Sequence, residues 1–229
     1  MPSSPERSAQ LALPRPLEAV IFDMDGLLID SEVVYREAIL AAAAARGCDM
    51  PLALFHQMIG APIVQNRELL FAHFGEDFDI EALLADAATR FHAIFALEDR
   101  IKAGVAELLD ELDARRLPRA IATSSARESV ELHLASGGLL ARFDAVIARG
   151  DYARGKPAPD PFLAAARALG VAPRACLALE DSHNGVRAAH AAGMMTVMVP
   201  DLLEASEEMA SLCVAVVATL HDVREMLQG

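Results

Sequence analysis

The chain is poor in lysine, with only Lys102 and Lys156, and it has no tryptophan, two tyrosines and three cysteines among its 229 residues. Cys48, Cys176 and Cys213 are odd in number and widely spaced, which excludes a disulfide framework and a zinc site. They point to a reducing compartment, and a cytoplasmic location is expected. No stretch approaches the ~18 apolar residues needed to span a bilayer, so no membrane partner is expected. Cation is scarce overall: the net charge is −13, and no basic stripe is present to contact a nucleic-acid backbone. Residues 1–16 carry four prolines and no apolar signal-peptide core, so a flexible N-terminal tail is expected there. No feature calls for more than a monomer.

What is abundant is apolar residue, 54% of the chain, enough for one core with a smaller companion. Short apolar runs read as strands at Ala19–Asp23, Arg119–Thr123, Ala145–Ala148, Cys176–Leu179, Thr196–Val199 and Val214–Ala218. Helical patterns separate most of them. Val105, Leu108, Leu109 and Leu112 follow the i, i+3, i+4, i+7 spacing. Ser31–Arg46 reads as a helix with Ser31 as N-cap and Gly47 as C′. Asp160-Pro161 reads as an N-cap with proline at N1, closed by Gly170. From 31 to 100 only helical signals occur. The expected fold is α/β: a doubly wound, parallel-sheet, Rossmann-like core over 17–30 and 101–229, with an all-helical cap domain inserted at 31–100. In such sheets ligands bind beyond the carboxyl ends of the strands.

Four segments at strand ends carry the chemistry. Phe22-Asp23-Met24-Asp25-Gly26 places two carboxylates at i, i+2, on one face of a strand, before a glycine that permits a sharp turn. Their repulsion calls for a divalent cation or a shared proton. Ala122-Thr123-Ser124-Ser125 offers hydroxyls and exposed amides that can hold phosphate oxygens, while Ser125 with Glu128 also fits a capping box. Gly155-Lys156-Pro157-Ala158-Pro159 presents one of the two lysines in a rigid frame. Leu179-Glu180-Asp181-Ser182 adds two more carboxylates, suited to a hard cation such as Mg²⁺ or to an acidic N-cap.

In this order the four segments, with Phe22–Glu32 in particular, resemble the motifs of the haloacid dehalogenase superfamily, on its phosphatase and β-phosphoglucomutase-like branch with a C1-type helical cap. The resemblance implies Asp23 as nucleophile and Asp25 as general acid/base. It implies phosphate binding by Thr123, Ser124 and Lys156. It also implies Mg²⁺ held by Asp23, Asp25 through its backbone carbonyl, Glu180 and Asp181. The reaction it implies is Mg²⁺-dependent hydrolysis of a small phosphorylated metabolite, a sugar phosphate or nucleotide-like ester, through an aspartyl-phosphate.

Within that superfamily Asp25 argues against dehalogenases, which need no proton donor. The absence of lysine from 31–100 argues against phosphonatases. A β-phosphoglucomutase-type mutase is the main alternative. The histidine and cap arginine of that type correspond here to Tyr35 and Ile63, with Arg67 nearby. A catalytically silent phosphate-binding module is the second alternative. His56, Gln57, Gln65, Asn66, Arg67 and His92 are the polar residues of the cap from which substrate contacts would come, with Gln65 and Arg67 the nominated pair.

Overall fold

The computed structural model describes residues 13–59, 63–95, 100–134 and 136–228. The expected tail lies outside them up to residue 12, as does the side chain of Ile63. Six strands, β1 (Ala19–Phe22), β2 (Arg119–Ala126), β3 (Ala145–Arg149), β4 (Cys176–Glu180), β5 (Met195–Met198) and β6 (Ala215–Val216), form one parallel sheet in the order β3-β2-β1-β4-β5-β6. β1 is buried throughout, and alternate side chains feed two cores. Val20 and Phe22 join Ile121, Leu177 and Leu179 on one face, while Ala19 and Ile21 join Ala120, Ala122 and Ala178 on the other. The second face is mostly alanine, which lets α7 (Asp160–Leu169) and α8 (His183–Ala191) approach closely through Ala165, Ala166, Ala188 and Ala189. The other face packs against α5 (Val105–Arg115) through Val105, Leu108, Leu109 and Leu112. No helix among the described residues is long and apolar enough to cross a membrane.

Between β1 and α5 the chain forms α1 (Ser31–Ala45), α2 (Leu52–Met58), α3 (Ile63–Phe74) and α4 (Ile80–Phe95). These helices have their own apolar core, built on Ile39, Phe55, Leu70 and Leu83. Arg46 ties α1 to α4, donating to Asp86 at 2.6 Å and to the Ala82 carbonyl at 2.7 Å. The two strands of chain that join this insert to the sheet run side by side. Asp30 N–H donates to the Arg100 carbonyl and Lys102 N–H to the Leu28 carbonyl, both at 2.9 Å, around an antiparallel Ile29–Ile101 bridge.

Several element ends differ from their sequence expectation, each for a local reason. Ser31 is the first helical residue, not the N-cap, because Asp30 is still held in the crossing by Arg100. Asp160 likewise opens α7 instead of capping it, since its carboxylate is held by Arg154. β2 continues past Thr123 to Ala126, re-pairing with Arg149 after a register shift. β6 is only two residues long, at a sheet edge with one neighbour.

The insert also meets the core through a ring cluster. His133, on α6 (Arg127–Leu134), stacks on Phe95 at 4.4 Å between centroids and lies edge-on to Phe91 at 5.2 Å. His133 is buried, and neither ring nitrogen has a hydrogen-bond partner among the described residues. Burial lowers its pKa below the ordinary 6.5; Asp25 pulls the other way and His92 adds to the lowering. The unfolded chain therefore takes up this proton at a higher pH than the folded one. The stability tied to neutral His133 is present above pH 6.5 and is lost as pH falls towards the folded pKa. Melting temperature measured from pH 7.5 down to pH 5 is expected to fall less steeply for His133→Leu than for the parent; equal slopes would show that His133 does not carry the dependence.

Candidate active site

Parallel pairing brings the ends of β1, β2 and β4 to one edge of the sheet, and the loop before α7 reaches the same edge. Asp23 continues β1 by one residue: its N–H donates to the Leu179 carbonyl at 3.0 Å. The chain then turns tightly, with the Met24 carbonyl accepting from the N–H groups of Leu27, Leu28 and Ile29. Gly26 sits at φ +80°, and a Cβ there would lie 2.2 Å from an Asp181 carboxylate oxygen. Only glycine meets both demands.

Lys156 is the centre of the group. Its side chain is 6% exposed, its ammonium donates to Asp23 Oδ1 and, at 2.5 Å, to Glu180 Oε1, and it lies 5.0 Å from the Phe162 ring centroid. Glu180 is fully buried, and its other oxygen accepts from the Asp181 and Ser182 N–H groups and the Ser182 hydroxyl at 3.0–3.1 Å. Ser182, not an acid, is the N-cap of α8, accepting from Gly185 N–H at 3.1 Å. The carboxylates of this segment are thus free of capping duty.

Asp25 is held from the second strand. Ser125 donates to Asp25 Oδ2 at 2.6 Å, and the Thr123 hydroxyl lies 3.4 Å from the same oxygen. Because β2 runs on to Ala126, Thr123 and Ser125 project on one side of it. Ser125 does not form the alternative capping box: its hydroxyl is committed to Asp25, and α6 starts at Arg127. Thr123 is fully buried and Ser124 exposed, and both line a cavity of about 710 Å³ with Asp23, Asp25, Lys156 and Asp181. Arg149 and Tyr152 line it too, and the Tyr152 hydroxyl donates to the Thr123 carbonyl at 3.1 Å.

Carboxyl groups outnumber the cation beside them. Asp23, Glu180 and Asp181 bring carboxylate oxygens within 4.8 Å of one another, against the single ammonium of Lys156. Burial first, then Glu180 and Asp25, push the Asp23 carboxyl up to about 8 despite Lys156. Burial, Glu180 and Asp23 raise Asp181 as well. Burial opposes the Lys156 ammonium, but attraction to Asp23 and Glu180 outweighs it and holds that pKa above the ordinary lysine value. Asp181 Oδ1 is buried and has no hydrogen-bond partner among the described residues. An all-oxygen donor set with an excess of negative charge and an orphaned carboxylate oxygen fits a small, hard divalent cation. A second acidic group, Glu32, Asp181 and Asp201, adjoins it; Lys102 reaches Asp201 at 2.5 Å, and burial and Asp201 lead in raising Glu32 to about 7.

The nominated cap residues are not brought to the site. Gln65 is exposed, and Arg67 is exposed and paired with Glu81 at 2.6 Å. A smaller cavity of about 280 Å³ beneath the cap is lined instead by Asn66, Tyr35, Phe55 and Phe91, and shares Asp25 and Glu32 with the larger one. A Cβ on Gly185 would lie 1.7 Å from the Glu180 carboxylate, which four hydrogen bonds hold in place. Gly185→Ala is therefore expected to leave the sheet folded, by circular dichroism, but to displace Glu180 and cut turnover about 100-fold, ~2.7 kcal/mol of barrier; near-normal turnover would show that Glu180 does not need its place.

The family model of haloacid dehalogenase-like hydrolases matches residues 17–193. A probable pseudouridine-5′-phosphatase of Drosophila melanogaster is 34% identical over 210 residues, 89% of this chain and 90% of the relative. A fructose-1-phosphate phosphatase of Escherichia coli is 32% identical over 180 residues, 79% of this chain and 95% of the relative. The crystal structure of CbbY from Rhodobacter sphaeroides in complex with phosphate superposes with a TM-score of 0.75 at 27% identity, covering 90% of this chain and 96% of that one. On these matches, and with its four motifs gathered at one sheet edge, the chain belongs to the haloacid dehalogenase-like hydrolases, in their phosphatase and β-phosphoglucomutase-like branch.

Proposed function

We propose that this chain hydrolyses phosphate monoesters of small metabolites, with Asp23 as nucleophile. The observation that carries the reading is the Lys156 ammonium held between Asp23 and Glu180 at the floor of a 710 Å³ cavity. Lys156 has three hydrogens and two carboxylate partners, so one donor remains for an incoming phosphoryl oxygen. Thr123, Ser124 and Lys156 bind the phosphoryl group, which Asp23 attacks to give an aspartyl-phosphate. Asp25 protonates the leaving oxygen and then takes a proton from the attacking water, oriented throughout by Ser125. A divalent cation, Mg²⁺ by the donor set, would be held by Asp23, Glu180 and Asp181 with the Asp25 backbone carbonyl, and would neutralise charge on the phosphoryl oxygens. The domain limits that go with this reading are a core of 17–30 and 101–229 and a cap of 31–100, whose crossings at Ile29 and Ile101 let it close over the site.

The names of the relatives point to a sugar phosphate or a nucleotide-like ester as substrate. Hydrolysis is favoured over a mutase reaction. Tyr35 stands where the mutase-type histidine is expected, and Arg67, the candidate for the mutase cap cation, is spent on Glu81.

Asp23→Asn is expected to abolish hydrolysis of p-nitrophenyl phosphate, since an amide does not attack phosphorus; activity within about tenfold of the parent, ~1.4 kcal/mol, would remove Asp23 from this role. Chelation of the parent with EDTA should abolish the same activity and added Mg²⁺ should restore it. Full turnover by verified metal-free protein would overturn the cation assignment. Incubation with β-glucose 1-phosphate and a glucose bisphosphate primer is expected to release phosphate without accumulating glucose 6-phosphate, and rapid isomerisation would place the chain among the mutases.

A further inference from the structure

The cavity beneath the cap shows what kind of alcohol leaves. It is about 280 Å³, near the lower end of the ~300–1,000 Å³ usual for ligand pockets. Its walls are largely apolar: Phe55, Met58 and Phe91 surround Tyr35, whose ring centroid is 6.4 Å from that of Phe55 and 6.1 Å from that of Phe91. Two polar atoms on the lining are buried without a hydrogen-bond partner among the described residues, Ser31 Oγ and Asn66 Oδ1. Ser31 is 5% exposed, so water does not supply the missing bond freely. Buried polar groups are seldom left unpaired, and two on one cavity indicate a ligand that completes them.

The ionisable groups on this lining are acidic: Asp25 and Glu32, with the Tyr35 phenol. No lysine, arginine or histidine lines it among the described residues. A second phosphate or a carboxylate placed in this cavity would be buried beside carboxylates with no counter-charge on its described lining, since Lys156 and Arg149 line the larger cavity only, and that is strongly unfavourable.

We propose that this cavity is the leaving-group subsite and that it takes an uncharged, flat ring bearing hydrogen-bond donors on its edge, so that the substrate is a nucleoside 5′-monophosphate and esters carrying a second anion are rejected. The inference rests on the phosphatase reading. A free hexose is the poorer fit, because its ring of hydroxyls would meet aromatic walls with only two orphaned partners. A heterocyclic base has two apolar faces for Tyr35, Phe55 and Phe91 and a polar edge for Asn66 and Ser31. The pentose then spans the place where the two cavities meet, at Asp25 and Glu32.

The test compares kcat/KM of the Mg²⁺-loaded protein on uridine 5′-monophosphate, ribose 5-phosphate, phosphoglycolate and fructose 1,6-bisphosphate, with p-nitrophenyl phosphate as the generic ester. Uridine 5′-monophosphate is expected to exceed ribose 5-phosphate at least tenfold and the two doubly anionic esters about 100-fold. Asn66→Leu should raise KM for the nucleotide at least tenfold while kcat changes less than threefold, and Asn66→Gln should recover part of the loss. Ribose 5-phosphate equal to the nucleotide, or either doubly anionic ester ahead of it, would overturn the proposal. Calorimetric binding of uridine 5′-monophosphate to Asp23→Asn protein, with and without Asn66→Leu, reads the subsite apart from turnover. Binding weakened at least tenfold by Asn66→Leu supports the subsite even where no ester, generic or specific, is hydrolysed, an outcome that would sink the phosphatase reading alone. Binding unchanged by Asn66→Leu overturns the subsite, whatever the turnover.

Discussion

The ammonium of Lys156, shared between Asp23 and Glu180, is the contact on which the rest of the site depends. Removing three carboxylates from water is expensive, and one buried ammonium offsets only part of it. The surrounding sequence supplies the remainder by geometry. Gly26 leaves the space that an Asp181 oxygen occupies, and Gly185 leaves the space for Glu180. Ser182 caps α8 and bonds Glu180 with the same hydroxyl. The unbalanced charge shows at Asp23 and Asp181, and at Glu32 beside them, whose carboxyls burial and their neighbours raise. A stable apo site would have been built the other way, with each acid matched by a base. The imbalance fits the proposed reading, in which a phosphoryl group and a cation would each bring charge to the site.

The cap and this centre are linked through the first turn of α1. Ser31, Glu32 and Tyr35 all lie within six residues of the Ile29–Ile101 crossing and line the smaller cavity, so the same short segment joins the insert to the site. Lys102, on the returning chain, lies 3.6 Å from Asp30 and 2.5 Å from Asp201. It anchors the core side of the hinge to the loop after β5. Both lysines of the chain are therefore spent at the junction of cap, core and acidic cluster. His133 marks the opposite contact, where α4 meets α6 through rings and not through charge.

The sheet and the four motifs were legible because each has a short-range cause. Parallel strands buried on both faces leave unbroken apolar runs, and a strand end must place its next residues in the ligand crevice. Asp23, Asp25, Lys156, Glu180 and Asp181 follow from those two rules, and the structure draws them together. Ser125 was not legible because its role depends on β2 running past Thr123, a matter of pairing with Arg149 that no local pattern records. Of the polar cap residues, the two singled out face solvent: Gln65 is exposed, and Arg67 lies four residues before Phe71, which is exposed. Asn66 lies four before the buried Leu70 and so shares the inward stripe. That signal was available in the sequence once Leu70 is taken as the buried position.

The scarcity of lysine noted at the outset acquires a physical meaning from this arrangement. Cationic side chains that would serve a second anion are absent, among the described residues, from the lining of the cap cavity, and Arg67, next to Asn66, is paired with Glu81 on the surface. Among the described residues the cations on the lining of the two cavities are Lys156 and Arg149, both on the larger one, so attraction for an anion lies there and not beneath the cap. Recognition of the remainder of the molecule must come from apolar contact and a few directed hydrogen bonds. Those interactions discriminate poorly against the loss of a methylene but strongly against an unpaired polar edge. On the proposed reading, selectivity would rest on whether the leaving group satisfies Asn66 and Ser31, and reactivity on the strand ends below. The two cavities are lined by different segments of the chain and meet at Asp25 and Glu32, so on that reading the residue that handles the proton also stands at the mouth of the leaving-group subsite.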